Sequence, residues 1–200
     1  MTTEHYAPGT TTPRRAKPAG KRRSARVAGI AAAAVALAGI GLAAGLLIRG
    51  EAPPPPAQPL PAAETSPKQL RSFAAAQGHA VYWAGTLPGR KLELTENRRG
   101  DVFVRYLPAG TPLGDRRPEF TTVATYPLKV GAYDVATGAT KKKGMVSKKA
   151  RGGGIAVWSR QRPTSVYLAY PTSNLLVEVY DPSDKRAQRL ALSGEVKPVR

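Results

Sequence analysis

From Val27 to Ile48 the chain runs for 22 residues, VAGIAAAAVALAGIGLAAGLLI, without a charged or strongly polar side chain. As an α-helix rising ~1.5 Å per residue, such a segment spans roughly 33 Å, enough to cross a hydrocarbon core. Nine of its residues are alanine, which makes it only moderately hydrophobic. A helix on the surface of a globular domain keeps one polar face, however, and this stretch has none. The sequence therefore predicts a transmembrane segment over 27–48, and everything else must fold on one side of it or the other.

The flanking charges set the direction. Seven cations (Arg14, Arg15, Lys17, Lys21, Arg22, Arg23 and Arg26) precede the segment, whereas Arg49 alone follows it closely. By the positive-inside rule the N-terminus is cytoplasmic and the C-terminal part extracytoplasmic. A cleaved signal peptide is the competing reading, but its apolar region is shorter and ends in small residues. Here the run ends in Leu46-Leu47-Ile48-Arg49, which favours an uncleaved signal anchor in the plasma membrane, with the bilayer as partner through residues 27–48. Gly41 and Gly45 form a GxxxG spacing, weak evidence for helix pairing in so Ala- and Gly-rich a segment.

Residues 1–26, rich in Thr, Pro, Arg and Lys, read as a disordered basic cytoplasmic arm suited to anionic lipid. Residues 49–65 contain four consecutive prolines at 53–56 and read as a Pro-rich stalk, with a polyproline rise of about 3.1 Å per residue. The remaining 66–200 carries 23 cations against 10 anions. Such a field favours anionic lipid or a phosphate-bearing envelope polymer, the plain alternative being a solvated basic surface. An extracytoplasmic position argues against nucleic acid as the partner. The chain has no cysteine, which removes disulfides, thiolate nucleophiles and cysteine-based zinc sites together.

Residues 66–194 read as one α+β domain, followed by a tail at 195–200. Ser66, Pro67 and Gln69 form a helix start with a capping box, and Gly78 a helix stop. Strand patterns follow at 80–84, 91–96, 101–107 and 121–126, with "NRRG" at 97–100 as a hairpin turn. In the first of these, Val81 and Trp83 are expected to face the core and Tyr82 the other side. Residues 130–143 fit a helix only weakly, because Gly131 and Gly138 interrupt the pattern. The basic run 141–154 reads as a loop before strands at 155–159, 165–170 and 175–180, and a last helix extends from Ser183 to Gly194. Helices grouped with consecutive strands indicate a mostly antiparallel sheet with two or three helices.

The aromatic residues suggest a repeat. Trp83 and Trp158 each stand five residues before a proline, and Tyr106 and Tyr180 each stand two before one. The Trp-to-Tyr separations are 23 and 22 residues. A duplicated helix-plus-strands unit, with halves 66–127 and 128–194, accounts for these spacings. Paired edge to edge, the halves would make one sheet with helices on one face. The match is imperfect: Tyr106 shares its strand face with Val104, whereas Tyr180 shares its face with Glu178.

The strings "GHAVYWAG", "VFVRYLP", "TVATYP" and "RPTSVYLAYP", taken with the N-terminal anchor, resemble an uncharacterised family of actinobacterial single-pass membrane-anchored proteins with an extracytoplasmic domain. The resemblance covers about residues 67–185. It implies this topology and supplies no activity, ligand or catalytic residue. Within that family the stretch 128–150 is more clearly helical, and "LKVGAYDVATGATKKKG" departs from it.

Catalytic chemistry finds little support. Of the two histidines, His5 lies in the cytoplasmic arm and His79 follows a helix-ending glycine. No G-x-S-x-G, H-E-x-x-H or Walker pattern occurs. Glu93 and Glu96 fall on opposite faces of one strand, and Asp181 and Asp184 belong at a helix start. No catalytic residue, metal ligand or cofactor is therefore assigned. The strand-borne aromatics read as core in preference to sugar-stacking platforms. What remains is Lys141, Lys142, Lys143, Lys148, Lys149 and Arg151, a candidate contact for anions or membrane phosphates. The sequence thus predicts a non-catalytic, membrane-anchored binding domain of the envelope; the alternative is an envelope-acting enzyme whose Ser, Asp or Tyr site matches no motif.

Overall fold

The computed structural model describes residues 60–199; the basic arm expected to be cytoplasmic, the 27–48 segment and the proline run lie outside the described residues. Among the described residues no helix is long and apolar enough to cross a membrane. The elements in chain order are β1 (Ala63–Thr65), α1 (Pro67–Ala76), β2 (Tyr82–Trp83), β3 (Arg90–Glu96), β4 (Val102–Pro108) and β5 (Thr122–Pro127), then α2 (Ala132–Thr140), β6 (Met145–Lys149), β7 (Ile155–Ser159), β8 (Arg162–Ala169), β9 (Leu175–Tyr180), α3 (Asp184–Ser193) and β10 (Lys197–Pro198).

Eight strands form one antiparallel sheet in the order β1-β3-β4-β5-β9-β8-β7-β6, and the architecture is α+β. The meander β3-β4-β5 meets the meander β6-β7-β8-β9 where β5 pairs with β9, Ala124 opposite Glu178.

Strand alternation sorts the core onto two faces. On the first face lie Leu92, Leu94, Val102, Val104, Tyr106, Val123, Trp158, Val166, Leu168, Val177 and Val179, packed with Leu70 of α1 and Ala187, Leu190 and Ala191 of α3. Ala124, Tyr126, Val157, Ala169 and Leu176 lie on the second face under Ala132 and Ala136 of α2. Helices therefore cover both faces, contrary to the one-face expectation. Helix α2 reaches the second face through two alanines one turn apart, a stripe too small to give a strong apolar signal in the sequence.

Local chemistry explains the helix ends. In α1 the Ser66 hydroxyl accepts from Gln69 N–H at 3.2 Å, and Gln69 Oε1 accepts from Ser66 N–H at 2.8 Å. Each side chain satisfies a backbone donor that the first helical turn leaves orphaned. Helix α3 is capped by Ser183 and ends at Gly194, whose φ of 81° is left-handed backbone suited to glycine.

Three segments differ from the sequence reading. Ala63–Thr65, assigned to the stalk, pairs with β3 as an edge strand. The assigned tail enters the fold: Val196 is buried, and Lys197–Pro198 pairs with Tyr82–Trp83 in a separate two-stranded ribbon. Met145–Lys149, read as loop, is the opposite edge strand β6. Each is short, and the charged residues Glu64, Lys148, Lys149 and Lys197 mask the strand pattern.

The β2-β10 ribbon packs on the first face of the sheet. Tyr82 N–H donates to Thr125 Oγ1 at 3.0 Å, and Ala84 N–H donates to Tyr106 Oη at 2.7 Å. Consequently Val81 and Tyr82 are buried and Trp83 is half-buried, reversing the expected orientation of the pair. A strand of two residues attached through side-chain acceptors does not follow the alternation of a sheet strand. The paired aromatics also land in non-equivalent places. Trp83 belongs to the ribbon and Trp158 to β7, while Tyr106 lies within one meander and Tyr180 in the strand joining the two.

Candidate functional site

The six sequence-selected cations are all exposed, and β6 determines how they are distributed. Lys141 is the C-terminal cap residue of α2, followed directly by Lys142 and Lys143. Cations there complement the negative end of the helix dipole. Gly144, at a φ of 84°, turns the chain into β6. Along β6, Lys148 Nζ lies 6.0 Å from the centre of the Trp158 ring on the first face. Lys149 is the next residue and alternates to the second face. An open cleft of about 630 Å³ there is lined by Tyr133 of α2, Ser147, both Lys148 and Lys149, and the glycines 153 and 154. Arg151, beyond the strand, reaches a shallower cleft of about 310 Å³ formed with Tyr82, Tyr170, Gly194 and Lys197. The run is thus divided among two strand faces and two strand ends.

The fold adds two cations that the sequence reading did not include. The β7-β8 hairpin returns to the start of β6, where Arg160 N–H donates to Gly144 O at 2.8 Å. Arg162 opposite Ser159 is its neighbour on that hairpin, and both side chains are exposed. One sequence signal pointed to them: residues 135–177, all 43 positions between Asp134 and Glu178, contain eight Lys or Arg and no carboxylate.

None of these eight cations forms an ion pair with a described residue. The carboxylates that do form ion pairs hold other cations. Glu93 holds Arg105, Asp115 and Glu119 hold Arg117, Asp101 holds Arg99, Asp181 holds Arg186, Glu195 holds Arg189 and Glu64 holds Lys91. The β6 end of the sheet is therefore a field of uncompensated positive charge.

A second polar constellation lies on the second face of the sheet. Buried Glu178 accepts a 2.6 Å hydrogen bond from Tyr126 Oη and another from Tyr167. Burial, then the adjacent carboxylate, pushes both phenols well above their ordinary range, so they remain protonated donors. The carboxylate is satisfied and both phenols point at it, an arrangement that joins β5, β9 and β8 without exposing a nucleophile or a base.

Other sequence candidates take structural places. His79 is half-buried, with Nδ1 3.1 Å from Ala80 O. Asp181 is buried, accepting from Thr121 Oγ1 at 2.6 Å and from Ser183 N–H at 2.9 Å. Glu93 and Glu96 lie on opposite faces of β3, the first with Arg105 and the second with Gln77. Of the aromatics, Tyr82, Tyr106 and Trp158 are buried, and Trp83, Tyr167, Tyr170 and Tyr180 are half-buried. Among the described residues no group of three or more His, Asp and Glu side chains is placed to hold a metal ion.

Compared with family models, with curated proteins and with solved structures, the chain matches none of them.

Proposed function

We propose that the chain is a single-pass plasma-membrane protein whose extracytoplasmic α+β domain acts by binding, without catalysis, to an anionic component of the cell envelope. The observation that carries this reading is the set of eight exposed cations around β6, drawn from an acid-free stretch and without an ion-pair partner among the described residues. A purely solvating surface would tolerate interspersed carboxylates, which reduce self-repulsion and leave net charge adjustable. The apolar 27–48 segment and its flanking charges support the anchor and its direction, and the proline run supports a spacer between anchor and domain. The likeness to actinobacterial membrane-anchored proteins agrees with that topology.

Protease treatment of intact cells carrying the full chain tests the orientation. Removal of an epitope placed after Arg200, with an N-terminal epitope retained, is the expected result; protection of the C-terminal epitope in cells whose external proteins are digested would refute the topology. Binding is tested separately, by retention of the detergent-solubilised chain on an anionic resin. Replacement of Lys141, Lys142, Lys149 and Arg160 by Gln should lower the salt needed for elution, more than replacing four exposed cations elsewhere.

A further inference from the structure

We infer that the β6 edge rests on the anionic surface of the same bilayer that holds residues 27–48, with the sheet standing edge-on to it. This builds on the membrane-anchored reading above. Lys148 and Lys149 project to opposite faces of one strand, Lys141–Lys143 and Arg160 gather at one end of it, and Arg151 lies beyond the other. A small ligand seated in the β6 cleft meets Lys148 and Lys149 alone of these groups, and one in the other cleft meets Arg151 alone. A flat surface beneath the edge meets the lysines of both strand faces together with the cluster at the α2 end, because the edge is the one place from which both faces are accessible; Arg151, packed beside Gly194, stays outside this contact. The strand itself is free on that side: β6 pairs with β7 and with no other described strand. Its outward backbone groups are left to water and polar head groups.

The tether is long enough for this pose. In the strand order, β1 and β6 are the two ends of an eight-strand sheet. Seven strand spacings of about 4.8 Å put them roughly 34 Å apart. The chain enters at the β1 end through Leu60, and eleven residues, Arg49 to Pro59, separate it from the apolar segment. Eleven residues reach about 34 Å at the polyproline rise and at most ~40 Å fully extended. The domain can therefore be held at its high edge by the tether while its low edge touches the membrane. Lipid-directed cations act only within about a Debye length, roughly 8–10 Å at physiological salt, so contact and not mere proximity is required.

The absence of cysteine permits a direct test on the full chain reconstituted in vesicles. Single variants Ser147→Cys on β6 and Glu64→Cys on β1 carry a spin label, and a nickel-chelating lipid serves as a head-group-bound relaxing agent. On vesicles rich in phosphatidylglycerol, the label at 147 should be relaxed far more strongly than the label at 64. The difference should vanish on phosphatidylcholine vesicles, in high salt, and when Lys141, Lys142 and Lys149 are changed to Glu. Equal relaxation of the two labels on the anionic vesicles overturns the inference; a response of the 147 label to soluble polyphosphate but not to anionic lipid would overturn it in favour of a polymer partner. Flotation of the chain with phosphatidylcholine vesicles in high salt reports the anchor alone, so failure of the anchor and failure of the docking give different results.

Discussion

Glu93 and Arg105 are directly opposed across the β3-β4 pairing, with Arg105 Nη1 2.6 Å from Glu93 Oε1. The carboxylate is fully buried, and its second oxygen accepts from Gly114 N–H. The guanidinium also donates to Asp115 O at 2.6 Å and lies 5.2 Å from the centre of the Phe120 ring. One ion pair thus anchors the long connection between β4 and β5 to the sheet. Arg105→Met leaves Glu93 buried without its cation, and the expected loss of unfolding free energy is about 3–5 kcal/mol. The double variant Glu93→Gln, Arg105→Met should recover much of it. Urea melts of the three proteins check both statements.

Tyr106 has a different structural role. Its hydroxyl accepts from the buried N–H of Ala84, and it is among the most deeply buried side chains. Tyr106→Phe keeps the ring and orphans that N–H, at an expected cost of about 1–3 kcal/mol. Hydrogen exchange should rise first at Ala84 and at the ribbon amides of Tyr82, Trp83 and Lys197, and unchanged exchange there would rule out this role.

Alkaline pH should destabilise the domain through Tyr126 and Tyr167. Both are pushed up from the ordinary value of 10.0, by burial first and then by Glu178. A group with a raised folded pKa contributes stability that is fully present below its unfolded value and is lost as pH rises through the folded one. Unfolding free energy should therefore decline above about pH 10, and the tyrosinate absorbance of these two residues should appear together with loss of secondary structure. Glu178→Gln should bring their onset down, though not to the ordinary value, because burial is the larger cause.

Asp115 behaves in the opposite sense at acid pH. Hydrogen bonds from Arg117 lower its carboxyl from 3.8 to about 2. The stabilisation is present above the ordinary carboxylate range and is lost as pH falls through about 2. A carboxyl-carbon NMR titration should show that midpoint, and Arg117→Gln should move it back towards 3.8.

Gly154 is required for space alone. A Cβ placed there would lie 2.8 Å from Tyr170 Cε1 and 2.9 Å from Ala169 O. Gly154→Ala should cost about 1–3 kcal/mol by overpacking. Gly153→Ser, where a Cβ meets nothing within 4 Å but φ is 82°, would act through backbone strain instead.

Much of this fold was legible in the sequence where local chemistry and burial agree. The capping box at Ser66, the turn at Gly100 and the helix from Ser183 to Gly194 each carry a side-chain or φ signature that tertiary packing leaves intact. The strands β3, β4, β5 and β9 were visible because they are rich in β-branched, leucine and aromatic residues. Strand β6 was hidden because three of its five residues, Ser147, Lys148 and Lys149, are exposed. Helix α2 was weak because alanine suffices where it touches the sheet. The orientation of Tyr82 depends on an acceptor at Thr125, 43 residues away, and on one at Tyr106, 22 residues from Ala84, which no local pattern encodes. For the candidate site, six cations were apparent as a run, but Arg160 and Arg162 join them only through a hairpin.

The two ends of the sheet have a consequence for crowded copies of this protein. One end is a strand of three residues and the other carries adjacent lysines. A neighbouring copy offering the same lysine-bearing end meets like charge, and one offering the short end finds little backbone to pair with. Neither end of the eight strands described therefore favours edge-to-edge growth between densely packed copies.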